Sequence, residues 1–329
     1  MLYPLRCLCF VLATLLAPLH SGCSPSSSVT VEVDGSSTVY LISAAVAEDF
    51  GASNPTIRPT VGLSGTGGGF KRFCAGETAV SNASRPIQDL EAAKAKENGV
   101  EYIELPIAFD GLSVVVHSKN TFVDSFTVDE LKRIWEPGSK VRTWQDVRAS
   151  WPAQPIRLYG PGPDSGTFDY FTEAIVGKSK ACRTDATFSE DDNVLVRGVA
   201  GDESSLGFMG FAYYEENHAL LRAIPIDGGK GPVAPSAETI RLGTYAPLSR
   251  PLFIYASVKH LQRPEVKKFV EYYLDRAPTI VSDVKYIPLP AEAYELARRR
   301  LADLATGSLF QHARPGADVV AILRGVKQP

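Results

Sequence analysis

The chain lacks a strong net charge of either sign, at −3 over 329 residues with histidine neutral. Nucleic acids and anionic membranes are bound mainly through basic fields, so neither is an expected partner. A bound anion would have to be held by local donors. With 44% hydrophobic and 22% charged residues the composition is that of a globular protein, and the length allows two domains.

The sequence also lacks the motifs of several enzyme classes. It has no G-x-S-x-G elbow and no H-E-x-x-H metal motif, and SGTGGGF at 64–70 lacks the Gly-Lys-Ser/Thr ending of a nucleotide P-loop. No cofactor and no metal site are therefore predicted. An exported hydrolase, such as a phosphatase with Ser165 as nucleophile, stays open as the alternative from another functional class.

Cysteine is scarce, and two of the five cysteines lie in an apolar N-terminal stretch. Residues 1–22 are predicted to be an export signal, since the stretch is too short to span a membrane. Cys23 follows Ser-Gly, as in bacterial lipoprotein signals. It is predicted to be lipidated, with ordinary signal cleavage as the alternative, and residues 23–28 read as a polar tether. The protein is thus expected in the periplasm or on the outer face of the cell membrane.

Two cysteines remain beyond the tether, Cys74 and Cys182. In an oxidising compartment such a pair is a candidate disulfide, and two free thiols are the alternative. Neither cysteine has the spacing of a zinc site.

Strands and helices alternate along the rest of the chain. VTVEV at 29–33 has the period of a strand, and Val39, Ile42, Val46 and Phe50 repeat at helical spacing. This alternation predicts an α/β fold with parallel strand pairs, in which ligands lie at the carboxyl ends of strands.

Three glycine- and hydroxyl-rich turns each join a strand to a helix. They are DGSSTVY at 34–40, SGTGGGF at 64–70 and GPGPDSGTFDYF at 160–171. The first amides of a helix have no acceptor within the helix, and anions bind there readily. One such turn is explained by capping alone, whereas three suggest that they converge on one acceptor-rich ligand, such as a tetrahedral oxyanion.

Arg85, in SNASRP, adds a candidate cation for a bidentate pair with an oxyanion. The alternative is a surface arginine beside a carboxylate. The acidic run at 189–192 is interpreted as a helix start capped by Ser189, not as a calcium loop.

Six segments, in order along the chain, resemble the phosphate-binding subunit of the bacterial phosphate ABC transporter, the PstS family: GSSTV, SGTGGGFKRFCAGE, SNASRPI, AFDGL, PDSGTFDYF and SEDDNVLVRGV. The resemblance implies a two-lobed periplasmic-binding-protein fold of type II-like topology, with two crossover segments and the ligand in the interlobe cleft. It divides the chain into lobe I (29–112 and 250–310), lobe II (113–249) and a C-terminal tail (311–329) that is expected to be a poorly ordered appendage.

By the same resemblance, phosphate would be bound by residues from both lobes: Ser37, Thr38, Ser64, Thr66, Ser165, Gly166 and Thr167. Ser84 and Arg85, from SNASRP, are further candidate ligands. Some members have an arginine shortly before the SGT turn, where this chain has GPGPD, and Arg85 is the predicted substitute. Some also have an aspartate near Ser84 that accepts the proton of hydrogen phosphate and so rejects sulfate. Here Asp110 or Asp164 would have to be the acceptor, although Asp110 also fits a structural turn before Gly111.

The sequence thus predicts a monomeric, non-catalytic receptor that binds inorganic phosphate with high affinity and delivers it to an ABC permease. Another oxyanion, such as sulfate or tungstate, is the alternative ligand.

Overall fold

The computed structural model describes residues 29–163, 165–189, 191–313 and 317–326. The predicted signal, the tether with Cys23, and Asp164 lie outside the described residues. Within the described ranges, no helix is long and apolar enough to cross a bilayer.

The strands, in chain order, are β1 (Val29–Gly35), β2 (Ile57–Val61), β3 (Val80–Ala83), β4 (Tyr102–His117), β5 (Phe126–Thr127), β6 (Arg157–Pro161), β7 (Thr187–Ser189), β8 (Ser205–Gly210), β9 (Leu221–Ala223), β10 (Ile226–Asp227), β11 (Pro232–Val233) and β12 (Ser249–Ser257). The helices are α1 (Ser37–Ser53), α2 (Gly65–Cys74), α3 (Asp89–Glu97), α4 (Val128–Trp135), α5 (Trp144–Val147), α6 (Gly166–Phe171), α7 (Asp192–Ala200), α8 (Phe211–Glu216), α9 (Ala237–Arg241), α10 (Pro264–Asp283), α11 (Ala291–Ala302) and α12 (Val319–Leu323). A π-helical turn, Thr172–Val176, continues α6, and a 3-10 turn, His260–Gln262, precedes α10.

The long strand β4 joins the two halves of a mixed α/β sheet. Its residues 102–111 pair with β12, and residues 112–117 pair with β8 and β9. The order β2-β1-β3-β12-β4-β8-β6-β7 therefore consists of a first half built on β1 and a second half built on β8. Parallel pairs, β1 with β2 and β3 and β6 with β7 and β8, lie in both halves. The two halves of the sheet form two lobes of an α/β fold, joined through β4.

The interpretation of Asp110 as a turn residue is wrong, because it lies inside β4 and pairs with Arg250 of β12. All residues of β4 except its last, His117, are buried. Gly111 continues the strand by pairing with Ser249 of β12, and a side chain is disfavoured there because a Cβ would lie 2.4 Å from Ile240 Cδ1.

The sequence pattern of α1 is confirmed by the structure, whereas the predicted start of α7 is not. Val39, Ile42, Val46 and Phe50 form the buried face of α1. The prediction that Ser189 caps α7 is wrong. Asp191 is the cap and accepts from Asn193 N–H at 2.9 Å, and Ser189 is the last residue of β7. A carboxylate one residue before the helix is the better acceptor for its first amides.

The candidate disulfide between Cys74 and Cys182 is not formed, and both thiols are free. Cys74 ends α2 in the first half of the fold, whereas Cys182 follows the π-helical turn in the second half. Burial raises the pKa of each thiol to about 11, so both are protonated at neutral pH.

The expectation of a poorly ordered appendage is wrong for the described part of residues 311–329. Helix α12 packs on α11 and buries Val319, Ile322 and Leu323. Residues 308–310, just before this tail, are held by the buried carboxyl group of Glu104, whose oxygens accept hydrogen bonds from Ser308 Oγ at 2.6 Å and from the amides of Leu309 and Phe310 at 2.8 and 3.0 Å. These amides therefore find their acceptor in the core.

Candidate functional site

The first glycine-rich turn places the N-terminus of α1 at the carboxyl end of β1. Gly35 has φ +137°, and a Cβ there would lie 2.2 Å from Asn82 O, so the turn requires glycine. Ser36 caps the helix and accepts from Val39 N–H. The amides of Ser37 and Thr38 are thus left without an acceptor inside the helix.

The second turn begins α2 beside the first. Thr66 Oγ1 lies 2.9 Å from Ser84 Oγ and accepts the Ser84 amide at 3.2 Å, so these two hydroxyls form one polar unit. Ser64 is used differently. Its amide donates to the buried Asp34 carboxylate at 3.2 Å, and its side chain makes no capping bond.

The third turn faces the first from the opposite lobe. Ser165 caps α6 and accepts from Thr167 N–H at 3.2 Å. A Cβ at Gly166 would lie 2.5 Å from Thr38 N and 2.4 Å from Thr38 Oγ1. The N-termini of α1 and α6 are therefore in direct contact, and the cleft is closed here.

Two cavities adjoin this contact, and each has walls from both lobes. The first, of about 290 Å³, is lined by the predicted ligands Ser37, Thr38, Thr66, Ser84 and Arg85. The second, of about 430 Å³, is lined by the predicted residues Ser37, Thr38, Asp110, Ser165, Gly166 and Thr167. Ser64 lines neither cavity. The α2 and α6 turns therefore open onto different cavities, which meet at the N-terminus of α1.

The cation nearest to this meeting point is Arg250, which the sequence analysis did not identify. Its Nη2 donates to Thr38 Oγ1 at 3.2 Å, and its Cζ lies 3.5 Å from the centroid of the Tyr170 ring. The side chain is only 12% exposed. Stacking on Tyr170 fixes the plane of the guanidinium while its edge stays available for hydrogen bonds.

Asp110 is the carboxylate partner of Arg250, with Oδ2 3.5 Å from Arg250 Nε. At this distance the pair is electrostatic, and neither atom has a hydrogen-bond partner among the described residues. Burial raises the pKa of Asp110 above its ordinary value, and the Arg250 charge partly opposes that rise. The site therefore contains a buried acceptor with unused hydrogen-bonding capacity.

Arg85 lines the first cavity, but its guanidinium is paired with a carboxylate. Its Nη1 and Nη2 both donate to Glu91, each at 2.8 Å. The carboxylate neighbour considered in the sequence analysis is thus present. Direct anion binding by Arg85 stays a prediction, and Arg250 is the better-placed cation.

Comparison with known proteins identifies the family of this chain. A model of the PBP superfamily domain matches residues 23–277. The phosphate-binding protein PstS of Staphylococcus saprophyticus is 37% identical over 276 residues, covering 83% of this chain and 85% of that protein. The chain belongs to the PstS family of periplasmic binding proteins.

Other relatives extend this family assignment. Protein SphX of Synechocystis is 50% identical over 294 residues, which are 88% of each chain. The crystal structure of a possible phosphate-binding protein from Planctomyces limnophilus is 48% identical, with a TM-score of 0.80 over 84% of this chain and 98% of that one. An ABC-type phosphate transport receptor from Vibrio cholerae shares the fold, at 22% identity and a TM-score of 0.65 over 79% of this chain and 100% of that one.

Arg250 was missed because its sequence context contains none of the glycine and hydroxyl residues that marked the other positions. It lies 212 residues from Thr38 and near the start of an apolar strand. A charged residue entering a buried strand was the one available signal, since such a residue is rarely buried without a partner.

Proposed function

We propose that this PstS-family protein binds inorganic phosphate between its two lobes and delivers it to an ABC permease. The observation that carries the proposal is the meeting of the α1 N-terminus, the α6 N-terminus and Arg250 at Thr38. Free amides, hydroxyls and a guanidinium are the donors that a tetrahedral oxyanion accepts. Relatives that carry the name phosphate-binding protein PstS support this choice of ligand.

Phosphate binding would begin on the first lobe, at Ser37 and Thr38. Closure would then add Ser165, Gly166 and Thr167 from α6. We propose that Thr66 and Ser84 form part of the wall of the same site. Arg85 would add a positive charge to that wall, which favours a bound anion. With these donors preorganised, micromolar or tighter affinity is expected, about −8 kcal/mol or better.

Asp110 would provide selectivity. Its free Oδ2 could accept the proton that hydrogen phosphate carries and sulfate lacks. A buried acceptor that faces a fully deprotonated anion loses its hydrogen bond and adds charge repulsion, which disfavours sulfate.

The transport role is part of the same proposal. We assign residues 29–112 and 250–310 to one lobe and residues 113–249 to the other. This boundary lies within one residue of the point where β4 stops pairing with β12 and begins to pair with β8. Closure would form a surface from both lobes for the permease. We further propose that the chain acts as a monomer without catalytic activity, after export and lipidation at Cys23.

Equilibrium titration of the mature chain tests the function. Calorimetry with phosphate, arsenate, sulfate and a phosphate monoester should show tight binding of the first two, weak sulfate binding and no turnover of the ester. Ester hydrolysis that is lost in Ser165→Ala would favour the phosphatase instead.

Lipidation is tested by the mass of the membrane-associated protein. A lipid on Cys23 is expected, and an unmodified Cys23 would reject this part of the proposal.

A further inference from the structure

An ion pair between a buried carboxylate and a half-exposed guanidinium lies beside the first two turns, outside both cavities. Asp34, near the end of β1, is 2% exposed. Its Oδ2 accepts from Arg72 Nη1 of α2 at 2.5 Å. Neither residue lines the cavities at Thr38, so this pair is not part of the ligand shell described above.

Asp34 connects the two turns through its other oxygen. Oδ1 accepts the amide of Gly35, in the α1 turn, at 2.8 Å, and the amide of Ser64, at the start of α2, at 3.2 Å. One carboxylate oxygen therefore sets the position of one helix N-terminus relative to the other. The amide of Ser64, a predicted ligand, is thus used within the fold, and Ser64 lines neither cavity.

The backbone around Asp34 leaves little room for adjustment. A Cβ at Gly62 would lie 2.7 Å from Asp34 Oδ1, and a Cβ at Gly69 would lie 2.5 Å from Gly35 Cα. The glycines of these turns therefore allow strand β1 and the two helices to approach closely. A small displacement of Asp34 would move both turns together.

The charge of Asp34 poses a problem for anion binding. A carboxylate near a helix N-terminus competes with any anion for the same positive potential and repels it. Arg72 compensates that charge, and the hydrogen bond that it donates to Asp34 is the main reason why the pKa of Arg72 is raised.

We propose that Asp34 and Arg72 are positioning residues of the anion site: Asp34 fixes the two helix N-termini together, and Arg72 cancels the repulsion that Asp34 would otherwise exert on the bound anion. This inference rests on the proposed phosphate function. It assigns to Arg72 an effect on affinity without contact to the ligand.

Four variants and phosphate calorimetry test the inference. Arg72→Gln removes the compensating charge and should weaken phosphate binding about tenfold at an ionic strength of about 0.02 M, where screening by salt is weak. Asp34→Asn keeps an oxygen for the Gly35 and Ser64 amides. The double variant Asp34→Asn/Arg72→Gln should therefore bind phosphate more tightly than Arg72→Gln alone, a recovery that a purely structural role would not produce.

Arg276→Gln is the matched control. Arg276 pairs with Asp49 on α1 at 2.8 Å and is 44% exposed, close to the 48% of Arg72, but Asp49 lies towards the C-terminal end of α1. The control should bind phosphate as the wild type does. Wild-type-like affinity in Arg72→Gln, or a double variant no better than Arg72→Gln, would overturn the inference alone. A wild type that binds no phosphate would instead overturn the proposed function. Circular dichroism confirms that each variant is folded.

Discussion

Arg250 and Asp110 are direct partners across the antiparallel strands β12 and β4, and their charged groups lie 3.5 Å apart inside the closed cleft. Strand β4 continues from this pair into the second half of the sheet, whereas β12 pairs with β3 and with the first part of β4. The pair thus lies in the closed cleft, next to the point where β4 passes from one half of the fold to the other.

Replacing Arg250 should have the largest effect on affinity of any single change at the site. Arg250→Gln removes a buried charge and the donor to Thr38, so phosphate binding should weaken by about 2–5 kcal/mol in calorimetry. Arg85→Gln should weaken it less, because that guanidinium already pairs with Glu91. A larger loss in Arg85→Gln would return the central role to the arginine predicted from the sequence.

Asp110→Asn should change selectivity more than affinity. An amide can donate to any anion, so sulfate binding should strengthen relative to phosphate binding, by about tenfold for a difference of 1–2 kcal/mol. Competition between the two anions at neutral pH measures this ratio. An unchanged ratio would remove Asp110 as the proton acceptor.

Gly166→Ala tests whether the closed contact matters. The added methyl would meet Thr38 N and Oγ1, so the lobes should not close fully, and phosphate affinity should fall at least tenfold. Small-angle scattering with saturating phosphate should give a larger radius of gyration than in the wild type. Gly51→Ala is the control, since a Cβ at that position meets nothing within 4 Å. A fully closed Gly166→Ala variant would contradict the observed packing.

Glu104 should make stability depend on pH. Burial raises its pKa above the ordinary 4.5, so the folded protein keeps a proton that the unfolded chain releases. The contribution of this group to the free energy of unfolding is fully present below about pH 4.5. It is lost as the pH rises through the raised pKa of Glu104. Glu104→Gln lacks this titration.

Urea unfolding at low and neutral pH measures this effect. At low pH Glu104→Gln should be less stable than the wild type by about 1–3 kcal/mol, because it loses part of the hydrogen bonding to Ser308 and the following amides. The difference in the free energy of unfolding between the wild type and Glu104→Gln should become smaller as the pH rises. Glu97→Gln, at an exposed ion pair with Lys94, is the control. A gap that widens with pH would show that the pKa of Glu104 is lowered, not raised.

Much of the fold follows from local patterns in the sequence. The apolar spacing of α1 involves neighbours within a few residues, and the structure buries the face that it predicts. The family assignment is confirmed by the comparisons, since several specific motifs occur in a fixed order.

The parts of the site that the sequence did not reveal depend on contacts between distant segments. Arg250 meets Thr38 and Asp110 only because β12 returns to pair with β4. Asp110 precedes a glycine, which is typical of a turn, yet its pairing with Arg250 of β12 keeps it in a strand. The sequence could not decide whether Cys74 and Cys182 form a disulfide. Their separation along the chain does not give the distance between two residues that lie in different halves of the fold.

Crystallography of the arsenate complex with anomalous scattering tests the central claim most directly. We expect one arsenic peak between the lobes, with its oxygens within hydrogen-bonding distance of Thr38, Arg250 and the α6 N-terminus. A peak outside the cleft, or one held without Arg250 and Thr38, would contradict the account.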